Sequence, residues 1–180
     1  LVLGMHRSGT SAFTAGLFQI FGISLGKVLA QRSHANKKGY FENPMTWKIN
    51  NALLTGLGSS WDAYAAHTNR QASPDEYEIF RKDSLAYLNT SFSSDRVFAI
   101  KDPRITVLLP FWESVIKDFS AALYRIIIIR HPMEVALSQH ARYKRSFYKQ
   151  VHASGCDLRY VLNLWFWYNL CLLNDISDNN

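Results

Sequence analysis

Between the apolar run Leu1-Val2-Leu3 and a helical pattern over 10–21 lies Gly4-Met5-His6-Arg7-Ser8-Gly9-Thr10-Ser11. A strand that passes through a glycine-bracketed turn directly into a helix admits few architectures. It is the opening of a βαβ unit, and it aims the loop's backbone N–H groups and the helix N-terminus at one point. Gly4 and Gly9 let the backbone turn and approach a ligand closely. The helix carries Phe13, Leu17, Ile20 and Phe21 on one side and stops at Gly22.

The remaining chain continues the alternation. Asn43-Pro44 reads as a helix start, with Asn as N-cap and Pro at the first helical position, followed by a Met45, Ile49, Leu53, Leu57 stripe. Ser73-Pro74-Asp75-Glu76 reads as a capping box, and Tyr77, Phe80, Leu88 and Phe92 follow it. Val97-Phe98-Ala99-Ile100 is a second strand, and a helix with Phe111, Trp112, Val115 and Phe119 comes after it. Leu123 to Ile129 is a third strand, whose unbroken apolar run predicts a central position covered on both faces. Pro132 opens another helix, and a final one over about Leu158 to Ile176 is dense in Leu, Trp and Tyr, the pattern of a core-facing helix. The expected fold is α/β: a three-layer, P-loop-like arrangement with a mostly parallel central sheet flanked by helices. Residues 1–180 read as one domain, incomplete at both ends.

Charge and composition exclude several classes. The net charge of +6 suits an anionic ligand and is too mild for a nucleic-acid protein. Cys156 and Cys171 form neither a disulfide framework nor a metal cluster and read as buried thiols; no metal site is expected, and His131 and His140 have no partner at metal spacing. The run Ile126 to Ile129 is far too short to span a membrane, and no signal peptide is visible, so the expected compartment is the cytoplasm.

The loop matches the P-loop pattern Gly-x-x-x-x-Gly-Lys-Ser/Thr in both glycines and the final Ser11, but the Lys position is Thr10. P-loop kinases and NTPases place that Lys on the β- and γ-phosphates beside Mg²⁺. Its absence disfavours a nucleoside triphosphate and leaves an anion-binding loop, with Arg7 available as a bidentate clamp. A second basic site, Arg130-His131-Pro132, follows the third strand, and Ser138 lies eight residues beyond Arg130. Arg130 would stand at the C-terminal edge of a parallel strand, where open α/β sheets bind ligands. Lys101-Asp102-Pro103-Arg104 ends the second strand at the same edge.

The loop Gly4-Met5-His6-Arg7-Ser8-Gly9-Thr10-Ser11 resembles the 5′-phosphosulfate loop of the sulfotransferase family, in its bacterial branch, where Arg replaces the usual Lys. The resemblance implies that Arg7, Ser8, Gly9, Thr10 and Ser11 hold the 5′-phosphosulfate of 3′-phosphoadenosine 5′-phosphosulfate (PAPS). Arg130, Pro132 and Ser138 are similar to the family's 3′-phosphate site. Lys101, two residues before Pro103, resembles the Lys that contacts the phosphosulfate and assists transfer. Glu42, after Tyr40-Phe41, resembles the catalytic base of carbohydrate sulfotransferases; placed before the Asn43-Pro44 helix start, it could also serve that helix electrostatically. His34, beside Lys37 and Lys38, is the alternative base or a substrate contact. Asp102 is either the partner of Lys101 or a helix cap, and Arg104 either holds the acceptor or cofactor or forms a surface ion pair. The family's Gly-rich closing segment has no counterpart after Cys171.

The resemblance implies a single sulfotransferase domain that moves a sulfuryl group from PAPS, without metal, to the hydroxyl of a carbohydrate or other small-molecule acceptor. A phosphosulfate carries one terminal charge fewer than a γ-phosphate and can dispense with a metal. Two other readings remain: a small P-loop kinase, and a non-catalytic nucleotide- or polyanion-binding module that would keep Arg7 and Arg130 and not need Glu42 or Lys101.

Overall fold

A computed structural model of the chain describes residues 1–27, 29, 39–64, 73–145 and 157–177. The fold is mixed α/β and mostly helical, around a small two-stranded parallel sheet. In chain order the elements are strand β1 (Val2–Leu3), helices α1 (Thr10–Phe21), α2 (Pro44–Gly56) and α3 (Pro74–Phe92), a 3-10 turn (Pro103–Val107), helix α4 (Leu109–Asp118), strand β2 (Ile126–Ile127), and helices α5 (Pro132–Arg145) and α6 (Leu158–Ser177).

β1 pairs with β2 in parallel, Val2 opposite Ile126 and Leu3 opposite Ile127. The Val97–Ile100 segment does not form a continuous ladder. It touches its neighbours through isolated parallel bridges, Phe98 to Ser24 and Lys101 to Val2. The amide of Val2 donates to the Ile100 carbonyl at 3.0 Å, and that of Ala99 to the Ser24 carbonyl at 2.8 Å. The spatial order is therefore Ser24, then 98–101, then β1, then β2, all parallel.

This order corrects the expected place of the 123–129 segment. β1 is the covered strand, with Val2 1% and Leu3 0% exposed, whereas Ile129 is 65% and Tyr124 79% exposed. Among the described residues nothing pairs with the outer side of β2. An apolar run of this kind signals burial but not which of two strands is innermost, and pairing on one side shortens its ladder.

The helix starts are as the local chemistry dictates. Asn43 Oδ1 accepts from the Met45 amide at 2.9 Å. Ser73 and Glu76 form the reciprocal capping box, at 3.0 and 3.2 Å. The α1 face is reversed from expectation. Thr10 and Thr14 are buried, while Phe13, Ile20 and Phe21 are exposed. Small side chains let α1 lie close to the strands, and Thr14 satisfies its hydroxyl on the Thr10 carbonyl at 2.8 Å. In α2, Ile49 and Leu53 of the predicted stripe are buried and Met45 is exposed.

The larger core joins Leu3 and Ile100 to α2, α3 and α4 through Leu53, Leu88, Phe92, Leu109 and Trp112. A second cluster holds Met5, Val135, Ala136, Val161, Leu164 and Tyr168. Met5 belongs to the glycine loop, so α5 and α6 grip the loop by a buried side chain whose burial stabilises by about 1.5–3 kcal/mol. The aromatic-rich α6 acts as core, with Tyr168 1% exposed.

Candidate functional site

The loop between β1 and α1 is held in left-handed backbone at both glycines, Gly4 at φ 141° and Gly9 at φ 99°. A Cβ at Gly4 would lie 2.5 Å from the Ile128 carbonyl oxygen, so only glycine fits there. The Gly4 amide donates to Thr106 Oγ1 at 2.9 Å, tying the loop to the 3-10 turn. A Cβ at Gly9 would meet nothing within 4 Å, so the space over the loop is open. Gly9 is the N-cap of α1 and offers no side-chain acceptor, and the first turn carries no acidic residue. That helix end is thus electropositive and left to an acceptor from elsewhere. Arg7 is held at φ 71°, which costs about 1–2 kcal/mol for a residue with a Cβ.

The two predicted phosphate sites meet. Arg7 Nε donates to Ser138 Oγ at 2.9 Å, and Arg130 Nη1 donates to the Arg7 carbonyl at 3.2 Å. Arg130 also donates through Nε to Glu134 Oε2 at 2.7 Å, one turn along α5. Its carbonyl accepts from Trp165 Nε1 at 3.1 Å, which fixes the end of the strand against α6. The Arg7 guanidinium is held below its ordinary pKa by desolvation and then by the positive charges of Arg142 and Arg130. The Glu134 carboxyl is held below its ordinary value by the Arg130 hydrogen bond.

Lys101 and Glu42 also meet. The Lys101 side chain is fully buried, and its Nζ donates to Glu42 Oε1 at 2.6 Å, to Ser11 Oγ at 3.1 Å and to the Tyr40 carbonyl. Ser11 Oγ in turn donates to the Tyr40 carbonyl at 3.2 Å. One ammonium therefore links the 98–101 strand, the first turn of α1 and the 40–42 segment. That segment turns sharply through positive φ at Gly39 (100°) and Phe41 (52°), which brings the Glu42 carboxylate inward. Burial pushes the Glu42 carboxyl above its ordinary value, and Lys101 opposes the rise by charge and hydrogen bond.

Asp102 resolves as a cap. Its Oδ1 accepts from the Arg104 amide at 2.9 Å and from Arg104 Nη1 at 2.9 Å, with Oδ2 3.1 Å from the same nitrogen. Arg104 forms a buried ion pair, not a surface one, being 7% exposed with its guanidinium 5.9 Å from the centre of the Trp47 ring. Lys101 takes Glu42, not Asp102, as its partner, because Asp102 is turned toward its own 3-10 turn. Ser8 and Thr10 are buried beneath the loop. His34 lies outside the described residues.

Two residues of the site were not legible beforehand. His6 packs edge-on against Trp61, with centroids 4.7 Å apart, and its Nε2 is buried without a hydrogen-bond partner. Desolvation, then Arg104, Arg142, Lys101 and Arg7, hold its pKa well below 6.5, so the ring is neutral. Arg142 stands one helical turn beyond Ser138. The i, i+4 spacing from Ser138 was the available signal for Arg142; for His6 there was none, since its neighbours come from distant segments. No family model, curated protein or solved structure matches this chain.

Proposed function

We propose that the protein is a sulfotransferase that moves a sulfuryl group from PAPS to an acceptor hydroxyl, on a three-layer, P-loop-like α/β scaffold. The observation that carries this reading is the joining of Arg7, Ser138 and Arg130. A loop suited to a 5′-anion and a strand-end Arg/Ser pair suited to a 3′-phosphate form one continuous basic surface. The open space over Gly9 fits an anion lying on the α1 N-terminus.

The donor supplies an activated sulfuryl group. Arg7, with the amides at Gly9, Thr10 and Ser11, binds the phosphosulfate, while Arg130 and Ser138 take the 3′-phosphate. Glu42, a carboxylate with a raised proton affinity, accepts the acceptor's hydroxyl proton as the acceptor oxygen bonds to sulfur. The bond between sulfur and the bridging oxygen breaks, and Lys101 stabilises the negative charge left on the 5′-phosphate. For that, the Lys101–Glu42 pair must separate during turnover. Arg104, neutralised by Asp102, is not assigned to the acceptor, which is a carbohydrate or other small hydroxyl compound.

The closed Lys101–Glu42 pair favours a second reading, a nucleotide-binding module in which the pair is structural. A thermal-shift panel tests the primary reading: 3′-phosphoadenosine 5′-phosphate (PAP) without metal should stabilise the protein by about 2.7 kcal/mol at one hundred times its Kd, and AMP at the same concentration should stabilise it less. Stronger stabilisation by Mg-ATP returns the kinase reading. PAP binding with no sulfation of any acceptor in a glycan and phenol panel returns the module.

A further inference from the structure

Every N–H of the Lys101 ammonium is already taken. A lysine offers three donors, and here they go to Glu42 Oε1, Ser11 Oγ and the Tyr40 carbonyl. The Lys101 side chain is also fully buried. An anion lying on the α1 N-terminus can therefore reach Lys101 only by replacing one of these acceptors. Ser11 belongs to α1 and stays with it. Tyr40 and Glu42 belong to one short segment and move together. That segment occupies Ser11 as well, whose hydroxyl donates to the Tyr40 carbonyl at 3.2 Å. Resting on the donor reading above, we infer that residues 39–42 form a strap that blocks the site in the free protein: the Tyr40 carbonyl and the Glu42 carboxylate stand in for the donor's 5′-anion, and donor binding lifts them, freeing Lys101 for the leaving phosphate and Glu42 for the acceptor's proton.

The backbone on either side of Tyr40 is suited to such a movement. Gly39 stands at φ 100° and Phe41 at φ 52°. Phe41 carries a Cβ and is strained in that region, which glycine alone enters freely. Strain of this kind persists only while surrounding contacts hold it, and the contacts to Lys101 and Ser11 are among those that do so. Losing them to an anion releases the strain. On the far side the chain is fixed, since Asn43 caps α2 through the Met45 amide at 2.9 Å. The turn at 39–41 can swing while α2 stays in place. Charge compensation permits the exchange too. A buried ammonium left alone is costly, and the arriving anion supplies the negative charge that Glu42 supplies in the closed form. Lys101 is thus neutralised in both states, and Glu42 is held away from the acceptor until a donor is present.

Calorimetric titration of wild type and Gly39→Ala with PAP and with adenosine 3′-phosphate tests the strap. A Cβ at Gly39 disfavours the closed backbone. Gly39→Ala should therefore lower the Kd for PAP about fivefold while lowering the thermal midpoint of the free protein. The Kd for adenosine 3′-phosphate, which has no 5′-anion to meet Lys101, should not change. Tighter binding by a less stable protein is a result that a merely structural turn does not give. Proton uptake supplies a second reading that needs no change in the turn. In the closed form Lys101 opposes the rise in Glu42 proton affinity by charge and hydrogen bond. Lifting the strap removes that opposition, so at mildly acidic pH wild type should take up more protons on binding PAP than Glu42→Gln does, measured in buffers of different ionisation heat. Equal uptake by the two proteins overturns the strap and leaves the donor reading standing. So does a folded Gly39→Ala protein that binds PAP no more tightly than wild type, or one that binds both ligands more tightly by the same factor. A wild type that does not bind PAP overturns the donor reading and the strap together.

Discussion

Arg7 Nε donates to Ser138 Oγ at 2.9 Å although 131 residues separate them in the chain. Removing the acceptor tests whether that bond holds the loop for its ligand. Ser138→Ala should weaken PAP binding by about 0.5–1.5 kcal/mol, the net value of one hydrogen bond, and leave the thermal midpoint nearly unchanged. Equal PAP affinity in the variant would show that Arg7 is positioned by the loop backbone alone and would remove Ser138 from the 3′-phosphate site.

Arg130→Ala should weaken PAP binding by about 1.5–3 kcal/mol, as for a charge-assisted contact, and AMP binding by much less. Because Arg130 also holds the Arg7 carbonyl, a small loss for AMP is expected. Equal losses for the two ligands, read by calorimetry, would assign Arg130 to loop support rather than to the 3′-phosphate.

Glu42→Gln should lower turnover about a hundredfold or more, as for loss of a general base, with PAP affinity little changed. The working form of Glu42 is the carboxylate, so wild-type turnover should fall as pH drops through a pKa raised above the usual 4.5. The raised value also has a stability consequence. The folded state holds the Glu42 proton more tightly than the unfolded chain, so that contribution is present at low pH and is lost as pH rises through the folded value. Normal turnover in Glu42→Gln, measured on a turned-over acceptor, would remove Glu42 as the base; if His34→Ala then abolished turnover, the base would be His34.

Lys101→Met should destabilise the protein by about 3–5 kcal/mol, since it leaves Glu42 a buried charge without its partner, and the Tyr40 carbonyl loses one donor while keeping Ser11 Oγ. The double variant Lys101→Met with Glu42→Gln should recover much of that loss while remaining inactive. Denaturant midpoints of the two variants decide the point: no recovery in the double variant would mean that Lys101 serves the fold by packing rather than by charge.

Gly4→Ala and Gly9→Ala should separate folding from binding. Gly4→Ala drives a Cβ into the Ile128 carbonyl and should cost more than about 2 kcal/mol of stability. Gly9→Ala meets open space and should cost about 1–2 kcal/mol of backbone strain, while its methyl, standing over the α1 N-terminus, weakens PAP binding. Undiminished PAP affinity in a folded Gly9→Ala protein would place the anion elsewhere.

What the sequence alone determined was local. The loop glycines, the Asn43 cap, the Ser73–Glu76 capping box and the helices that follow them depend on neighbours a few residues away, and each stands where local chemistry put it. The residues Arg7, Arg130, Ser138, Lys101 and Glu42 were legible as chemistry-bearing types at strand and helix ends. Only the tertiary structure decided their pairings and the order of the sheet. It set β1 inside and β2 outside, turned the Phe-rich side of α1 outward, gave Lys101 to Glu42 and Arg104 to Asp102, and brought Ser138 and Arg130 to Arg7. The reason is physical: burial and charge compensation depend on which surfaces meet, and residues more than a hundred positions apart meet only when packing places them together.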